Sequence, residues 1–302
     1  MSGKVSVVVT CYNYGGYLGE CLDSVLSQSY SDLEIILVND GSTDQTAEVA
    51  RGFLKETRVR YIEQENAGQA RAKNVGIGHS TGNFVAFLDA DDAWEREKLE
   101  KQIPLFTDPR IGVVYSLARY VDAEGRRVVL DQSHLSFHPH AGNVTRQLFM
   151  DNFVPFSSSV VRKEILDQAR GFDERLKMGI DWDLWLRLSL SWAFGYVDDT
   201  LLVYRVGHPG QMSKNTEVRH RCVDRIMASF LERYPGVLPR GDIRRAFAYT
   251  LANRGYHYSD IEPGASLAYY LRAISYSPIY FDAYRGILRT LFRSVAGTPK
   301  GR

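Results

Sequence analysis

The chain has 302 residues, of which 44% are hydrophobic and 24% charged, and its formal net charge is +1. That length predicts a large core and more than one domain. The balanced charge argues against a nucleic-acid partner, and no run of 18 apolar residues offers a membrane span. Cys11, Cys21 and Cys222 form no CxxC pair and no disulfide framework. No basic, apolar leader stands at Met1, so a cytoplasmic protein is expected.

Residues 5–9 are a β-branched run and read as the first strand. Tyr14, Leu18, Cys21, Leu22, Val25 and Leu26 then recur at helical spacing. Residues 33–38 read as a second strand, followed by a turn at Asn39-Asp40-Gly41-Ser42 and a helix over 43–55 capped by Ser42 or Thr43. A short strand over 58–62, a helix over 67–79 and a strand over 84–88 complete an alternating series. Such alternation predicts βαβ units and a mostly parallel sheet flanked by helices. No Gly-x-Gly-x-x-Gly follows the first strand, which argues against a nicotinamide dinucleotide site.

The strand at 84–88 runs straight into Asp89, Asp91 and Asp92. Open α/β sheets bind ligands outside the carboxyl ends of their strands. Carboxylates one residue apart suit a hard cation such as Mg²⁺, which is usually held by one or two carboxylates plus substrate phosphates. The plainer reading is that Asp91 and Asp92 cap a helix over 94–106. Thr10, Tyr12 and Asn13 follow the first strand at the same edge, where a tyrosine can stack on a nucleobase. Asp40 ends the second strand beside them and can accept from the N3–H of uracil or thymine; Asn39–Ser42 is otherwise a plain turn. Gly68 would let backbone approach a ligand closely.

Further along, residues 111–121 and 127–130 read as strands around a turn at Glu124-Gly125, and 144–150 as a short helix. Residues 155–161 read as extended, 181–191 as a helix rich in Trp and Leu, and 201–206 as a strand. From 215 onward the pattern is helical, and a boundary is expected near Lys214.

Four segments in order resemble an inverting family-two glycosyltransferase with the GT-A fold: residues 5–14, VSVVVTCYNY; 35–44, IILVNDGSTD; 66–75, NAGQARAKNV; and 87–92, FLDADD. Gly171-Phe-Asp-Glu174 with Gly179-Ile-Asp-Trp-Asp-Leu-Trp-Leu-Arg187 resembles that family's acceptor-side motif. The resemblance implies a catalytic domain over 1–214, with a nucleotide-sugar half over about 1–110 and an acceptor half over about 111–214. It implies a nucleotide diphosphate-sugar donor, UDP-linked by expectation, and a saccharide or lipid-linked acceptor in cell-surface polysaccharide or glycolipid synthesis. Asp89 would meet the ribose or the metal, and Asp91 would be the main ligand of Mg²⁺ or Mn²⁺. Arg71 resembles a residue near the nucleotide and equally fits a solvated helix face. Asp181 is the expected general base, at a helix N-terminus that favours its charged form. Asp183 competes for that role, and capping alone would also explain Asp181. The family's glutamate before this aspartate is Ile180 here, and Thr10 stands where many members carry proline. Trp182 could form an acceptor platform, with Trp185 in the core. Residues 204–213, YRVGHPGQMS, resemble a loop that closes over the nucleotide, and His208 could add a metal or diphosphate contact.

Residues 215–302 read as a helical extension that loosely fits a tetratricopeptide-like pair, or as a generic helical addition. Past Asp282 the chain has five basic residues and no acid. Arg285, Arg289 and Arg293 would form one helical stripe with Tyr284, Leu288, Leu291, Phe292 and Val295 opposite. Such a helix could lie on an anionic membrane through 283–302 or pack with a solvated face. Two alternatives to the glycosyltransferase remain: a non-catalytic nucleotide-sugar-binding or scaffold protein working through its tail, and a rival enzyme class, a sugar nucleotidylyltransferase. The latter would want a basic Gly-rich loop where the chain has Cys11-Tyr-Asn-Tyr-Gly-Gly16.

Overall fold

A computed structural model describes residues 3–129, 138–208, 210, 211 and 215–296. The chain divides into two compact units, residues 1–145 with 153–230, and residues 146–152 with 231–302. The boundary expected near Lys214 lies outside the described residues, as do Leu130, Pro209, Met212, Ser213 and the tail from 297. The side chains of Arg293 and Val295 are outside them too.

In the first unit β1 (Val5–Cys11), α1 (Gly15–Leu26), β2 (Leu33–Asp40), α2 (Thr46–Gly52), β3 (Val59–Gln64), α3 (Gln69–His79) and β4 (Phe84–Asp89) alternate as expected. There follow in the chain β5 (Ala93–Trp94), α4 (Lys98–Gln102), β6 (Ile111–Val121), β7 (Arg127–Val128), α5 (Thr145–Met150), β8 (Val160–Arg162), α6 (Lys163–Gln168), α7 (Ile180–Ser189), β9 (Ala193–Arg205) and α8 (Thr216–Arg233); residues 146–150 of α5 and 231–233 of α8 belong to the second unit. The strands form one sheet in the order β3-β2-β1-β4-β8-β6-β9-β5, with β7 paired to β6. The first four strands are parallel. Beyond β4 the sheet is mixed: β8 runs antiparallel to both β4 and β6, and β9 parallel to β6.

Strand alternation sorts the core. Val5, Val7 and Val9 join Leu18, Cys21, Leu22 and Val25 of α1 in one cluster. Val8 points the other way, under α3. There a Cβ on Gly76 would lie 2.4 Å from Val8 Cγ1, so only glycine lets α3 lie this close to β1.

The second half departs from the sequence expectation in places. Residues 94–106 do not form one helix. Ala93 and Trp94 pair with Val203 and Leu202 instead, α4 starts only at Lys98, and it passes into a 3₁₀ turn, Ile103–Thr107, that holds Pro104. The missing Pro104 N–H and its ring disfavour a continuous α-helix through it. Strand β9 begins eight residues before the expected strand, because exposed Asp198, Asp199 and Thr200 interrupt its apolar pattern. Residues 155–161 hold a 3₁₀ turn, Phe156–Ser158, before β8.

In the second unit α9 (Arg240–Tyr258), α10 (Pro263–Tyr276) and α11 (Phe281–Ala296) pack around Tyr270. Its own small core holds Ala248, Leu251, Ala252, Ala273 and Ala283.

Candidate active site

The carboxyl ends of β1, β2 and β4 open on a cavity of about 570 Å³. Thr10 pairs with Asp89 across β1 and β4, and Asp40 pairs with Gln64 across β2 and β3. Parallel pairing therefore delivers the polar ends of these strands to one edge. Thr10, Tyr12, Asp40, Gly68, Asp89, Asp91 and Asp181 all line the cavity.

Asp40 is 4% exposed and organises one end. Its Oδ1 accepts from Gln64 Nε2 at 2.7 Å and Ala67 N at 2.9 Å, and Oδ2 accepts from Gly68 N at 2.9 Å. Each carboxylate oxygen has two lone-pair sites, so Oδ2 retains capacity for a ligand N–H. Gly68 precedes α3 at φ +90°, a conformation that L side chains rarely adopt. Tyr12 beside this end is 46% exposed. Asn13 also has a positive φ, but its side chain faces a neighbouring loop. Its Oδ1 accepts from Thr43 N at 2.8 Å, while Asn13 N donates to Ser42 Oγ at 2.9 Å. It does not line the cavity.

At the other end the three aspartates have distinct partners. Lys73 of α3, 3% exposed, donates to Asp89 Oδ1 at 2.8 Å and Thr10 Oγ1 at 3.1 Å, with its ammonium 4.8 Å from the centre of the Phe156 ring. Withdrawal from water pushes the Asp89 carboxyl up, Lys73 offsets part of this, and Asp91 adds to it. Asp92 is buried and is not a helix cap: its Oδ1 accepts from Arg205 N at 2.9 Å. Burial and then the Asp91 charge push its carboxyl well up. Arg205 also donates to Asp91 O at 3.0 Å and Glu20 Oε2 at 2.6 Å, fastening the end of β9 to the acidic loop. Beyond it Gly210 and Gln211 line the cavity. His208 is 1% exposed, with Nε2 2.8 Å from Asp91 Oδ2 and its ring against Tyr14 and Tyr17. Tyr14 OH donates to Gly210 O at 3.1 Å.

Met178, Gly179, Ile180 and Asp181 also line the cavity, with Asp181 in the first turn of α7. Asp183 does not reach the cavity; its Oδ2 accepts from Arg187 Nε at 2.8 Å. Trp182 is 6% exposed and Trp185 fully buried, and neither lines the cavity. Arg71 is likewise outside it, on the solvent side of α3, 3.7 Å from Glu174. Lys73 was the functional residue that the sequence reading missed. Its signal was position: Gln69, Ala72, Lys73 and Gly76 share the sheet-facing stripe of α3, where a lysine is out of place unless paired.

Among the described residues no cluster of three or more His, Cys, Asp or Glu could hold a metal. Asp91 and His208 nevertheless fit as a partial site. His208 Nε2 and Asp91 Oδ2 are 2.8 Å apart, a hydrogen-bond contact that a cation would have to replace; two ligands, each about 2.1 Å from an octahedral cation, stand about 3 Å apart. Carboxylate with imidazole suits Mn²⁺, and the remaining positions would fall to substrate oxygens and water.

The sequence profile for glycosyl transferase family 2 matches residues 6–170. The chain belongs to that family. An uncharacterized glycosyltransferase from Nostoc sp. is 32% identical over 189 residues, 60% of this chain and 56% of that protein. One from Rickettsia felis is 30% identical over 204 residues, 67% of this chain and 33% of that protein. Glycosyltransferase GlyA from Streptococcus pneumoniae is 42% identical over 118 residues, 37% of this chain and 17% of that protein. The chain thus spans about half or less of these relatives' length. Among solved structures, S. aureus TarS residues 1–349 in complex with UDP-GlcNAc is similar, with a TM-score of 0.68 at 19% identity over 99% of this chain and 93% of that one. The mannosyltransferase PcManGT from Pyrobaculum calidifontis, in complex with GDP-Man and Mn²⁺, gives 0.70 at 20% identity over 99% and 81%. The fold of this family member is the GT-A α/β arrangement, with a helical C-terminal region.

Proposed function

We propose that the protein is a metal-dependent, inverting glycosyltransferase that moves a sugar from a nucleotide diphosphate donor, UDP-linked by preference, to a hydroxyl group of a saccharide or lipid-linked acceptor. The product would belong to cell-surface polysaccharide or glycolipid synthesis, and transfer would be of the hexosyl or N-acetylhexosaminyl class. The observation that carries this reading is one cavity lined by Asp40, Asp89, Asp91 and Asp181. The solved neighbours bound to UDP-GlcNAc and to GDP-Man support a nucleotide-sugar donor.

The nucleobase lies against Tyr12, with Asp40 Oδ2 accepting from its ring N–H. Uracil offers such a donor at N3 and guanine offers N1–H and N2–H, so Asp40 alone favours these over adenine. Ribose and diphosphate lie along Thr10, Asp89 and Asp91. Lys73 holds Asp89 in place through the 2.8 Å contact. Asp91 and His208 would hold a divalent cation, which when bound would supply charge neutralisation on the departing diphosphate. Arg205 fixes the backbone that carries Asp91, and Gly210 and Gln211 help exclude water from the donor. Asp181 takes the proton of the acceptor hydroxyl as that oxygen attacks the anomeric carbon. The bond to the diphosphate oxygen breaks on the other face, so configuration inverts.

Thermal shift against UDP, dTDP, GDP and their sugar conjugates, with Mn²⁺, Mg²⁺ or EDTA, tests the donor half. A ligand at about 100 times its dissociation constant adds about 2.7 kcal/mol. A metal-dependent rise with one nucleotide class is expected; no rise with any of them, with and without acceptor saccharides, would sink the donor assignment. Asp181→Asn tests the other half. It should retain the donor shift and lose transfer, and an unchanged product rate would remove Asp181 from the mechanism.

A further inference from the structure

Helix α11 buries the wrong face for an ordinary packed amphipathic helix. Its contacts within the helical unit are made by small or polar residues: Ala283, Gly286 and Thr290 are buried and Ile287 half-buried. Arg289 is not on an open stripe, since Nη2 donates to Tyr270 OH at 3.2 Å and the guanidinium lies over the Tyr256 ring. The large apolar residues point outward. Ile279, Phe281, Tyr284, Leu288, Leu291 and Phe292 are 41–78% exposed. Five of them recur at 281, 284, 288, 291 and 292, on one face of the helix, with Arg285 on its flank, 82% exposed and 3.5 Å from the exposed Asp282.

Charge is also uneven along the sequence. Residues 231–302 hold eleven basic and five acidic residues, in a chain with 37 and 36. The excess is concentrated past Asp282, where five basic residues meet no acid. An apolar face with a basic flank matches an anionic lipid surface, which buries the one and attracts the other. A protein partner would need acidic groups around an apolar groove to satisfy the same face.

We infer that the outward face of α11 docks the protein on an anionic bilayer. This goes beyond the catalytic reading and does not depend on it. The full chain should co-sediment with phosphatidylcholine vesicles containing about a third phosphatidylglycerol and release in high salt, as screening shortens. Leu288→Glu with Leu291→Glu alters two exposed side chains and should leave the fold and the nucleotide thermal shift unchanged. It should lower partitioning about a hundredfold, since each leucine is worth about a factor of ten or more when buried. Arg285→Glu should weaken binding to anionic vesicles less than the leucine pair does, and more at low salt than at high. Equal binding to pure phosphatidylcholine, no binding to either vesicle, or a double variant that sediments like the parent would overturn the inference. So would light scattering that shows a dimer converted to monomer by the same double variant, which would assign the face to a second copy.

Discussion

Glu34 ties β2 to β1 and to the loop before β4, and its loss should be felt in a defined pH window. Lys4 Nζ donates to its Oε2 at 2.8 Å, while Ser6 Oγ, Thr81 N and Thr81 Oγ1 donate to Oε1 at 2.6, 2.8 and 2.9 Å. Burial alone would raise this carboxyl. The donors from Lys4, Ser6 and Thr81 outweigh it and lower the pKa from 4.5 to about 2. The side chain is only 16% exposed, so screening takes little away. Because the folded pKa is depressed, the stabilisation is fully present above pH 4.5 and is lost as pH falls toward 2. A shift of this size corresponds to about 3 kcal/mol at pH 7, and to about 1.4 kcal/mol by pH 3. Glu34→Gln keeps the shape and removes the charge. Its melting temperature should fall by about 6–12 °C at pH 7, at about 2–4 °C per kcal/mol for a unit of this size. Differential scanning calorimetry of both proteins from pH 7 to pH 3 reads the result. The gap should shrink by about half by pH 3. A gap that is absent at pH 7, or constant across the range, would refute the assignment of Glu34 as a charged hub.

Lys73→Met leaves Asp89 beside Asp91 without its cation. Breaking a fully buried pair costs about 3–5 kcal/mol, and since the Asp89 side chain keeps 36% of its exposure, about 1–2 kcal/mol is expected by chemical denaturation, together with a weaker donor shift. Asp91→Asn and His208→Ala should each remove most of the difference between Mn²⁺ and EDTA in the donor shift, measured against each variant's own ligand-free midpoint; an intact metal effect in both would end the partial-site reading. Gly68→Ala forces a Cβ into φ +90° with open space around it, so strain alone should cost about 1–2 kcal/mol. Isothermal titration should show lower donor affinity, because Gly68 N is one of the groups that fix Asp40.

Legibility in the sequence followed the range of the contacts. The strands β1, β2 and β4 could be read because each is apolar along its length and ends in a polar cluster, and parallel pairing of consecutive βα units then brings Thr10, Asp40 and Asp89 to one edge without further information. Gln69, Ala72, Lys73 and Gly76 were open to the same logic, and Lys73 was missed because a lysine in a helix suggests solvent. Asp92 could not be read. Its partner is the backbone of Arg205, 113 residues away, and Asp91 meets His208 across 117 residues. Nothing in the local pattern distinguishes those contacts from a helix cap, and capping is the cheaper interpretation of any aspartate just before a polar stretch. The same limit applies to α11. Its amphipathic pattern is plain, yet which face it buries depends on whether α9 and α10 offer room for leucines or only for small residues. Tyr270 fills that room, and a Cβ on Gly286 would meet its ring at 2.1 Å. With the ring in place, only the small-residue face of α11 can approach, and the apolar stripe that a sequence reading would put inside is left facing outward.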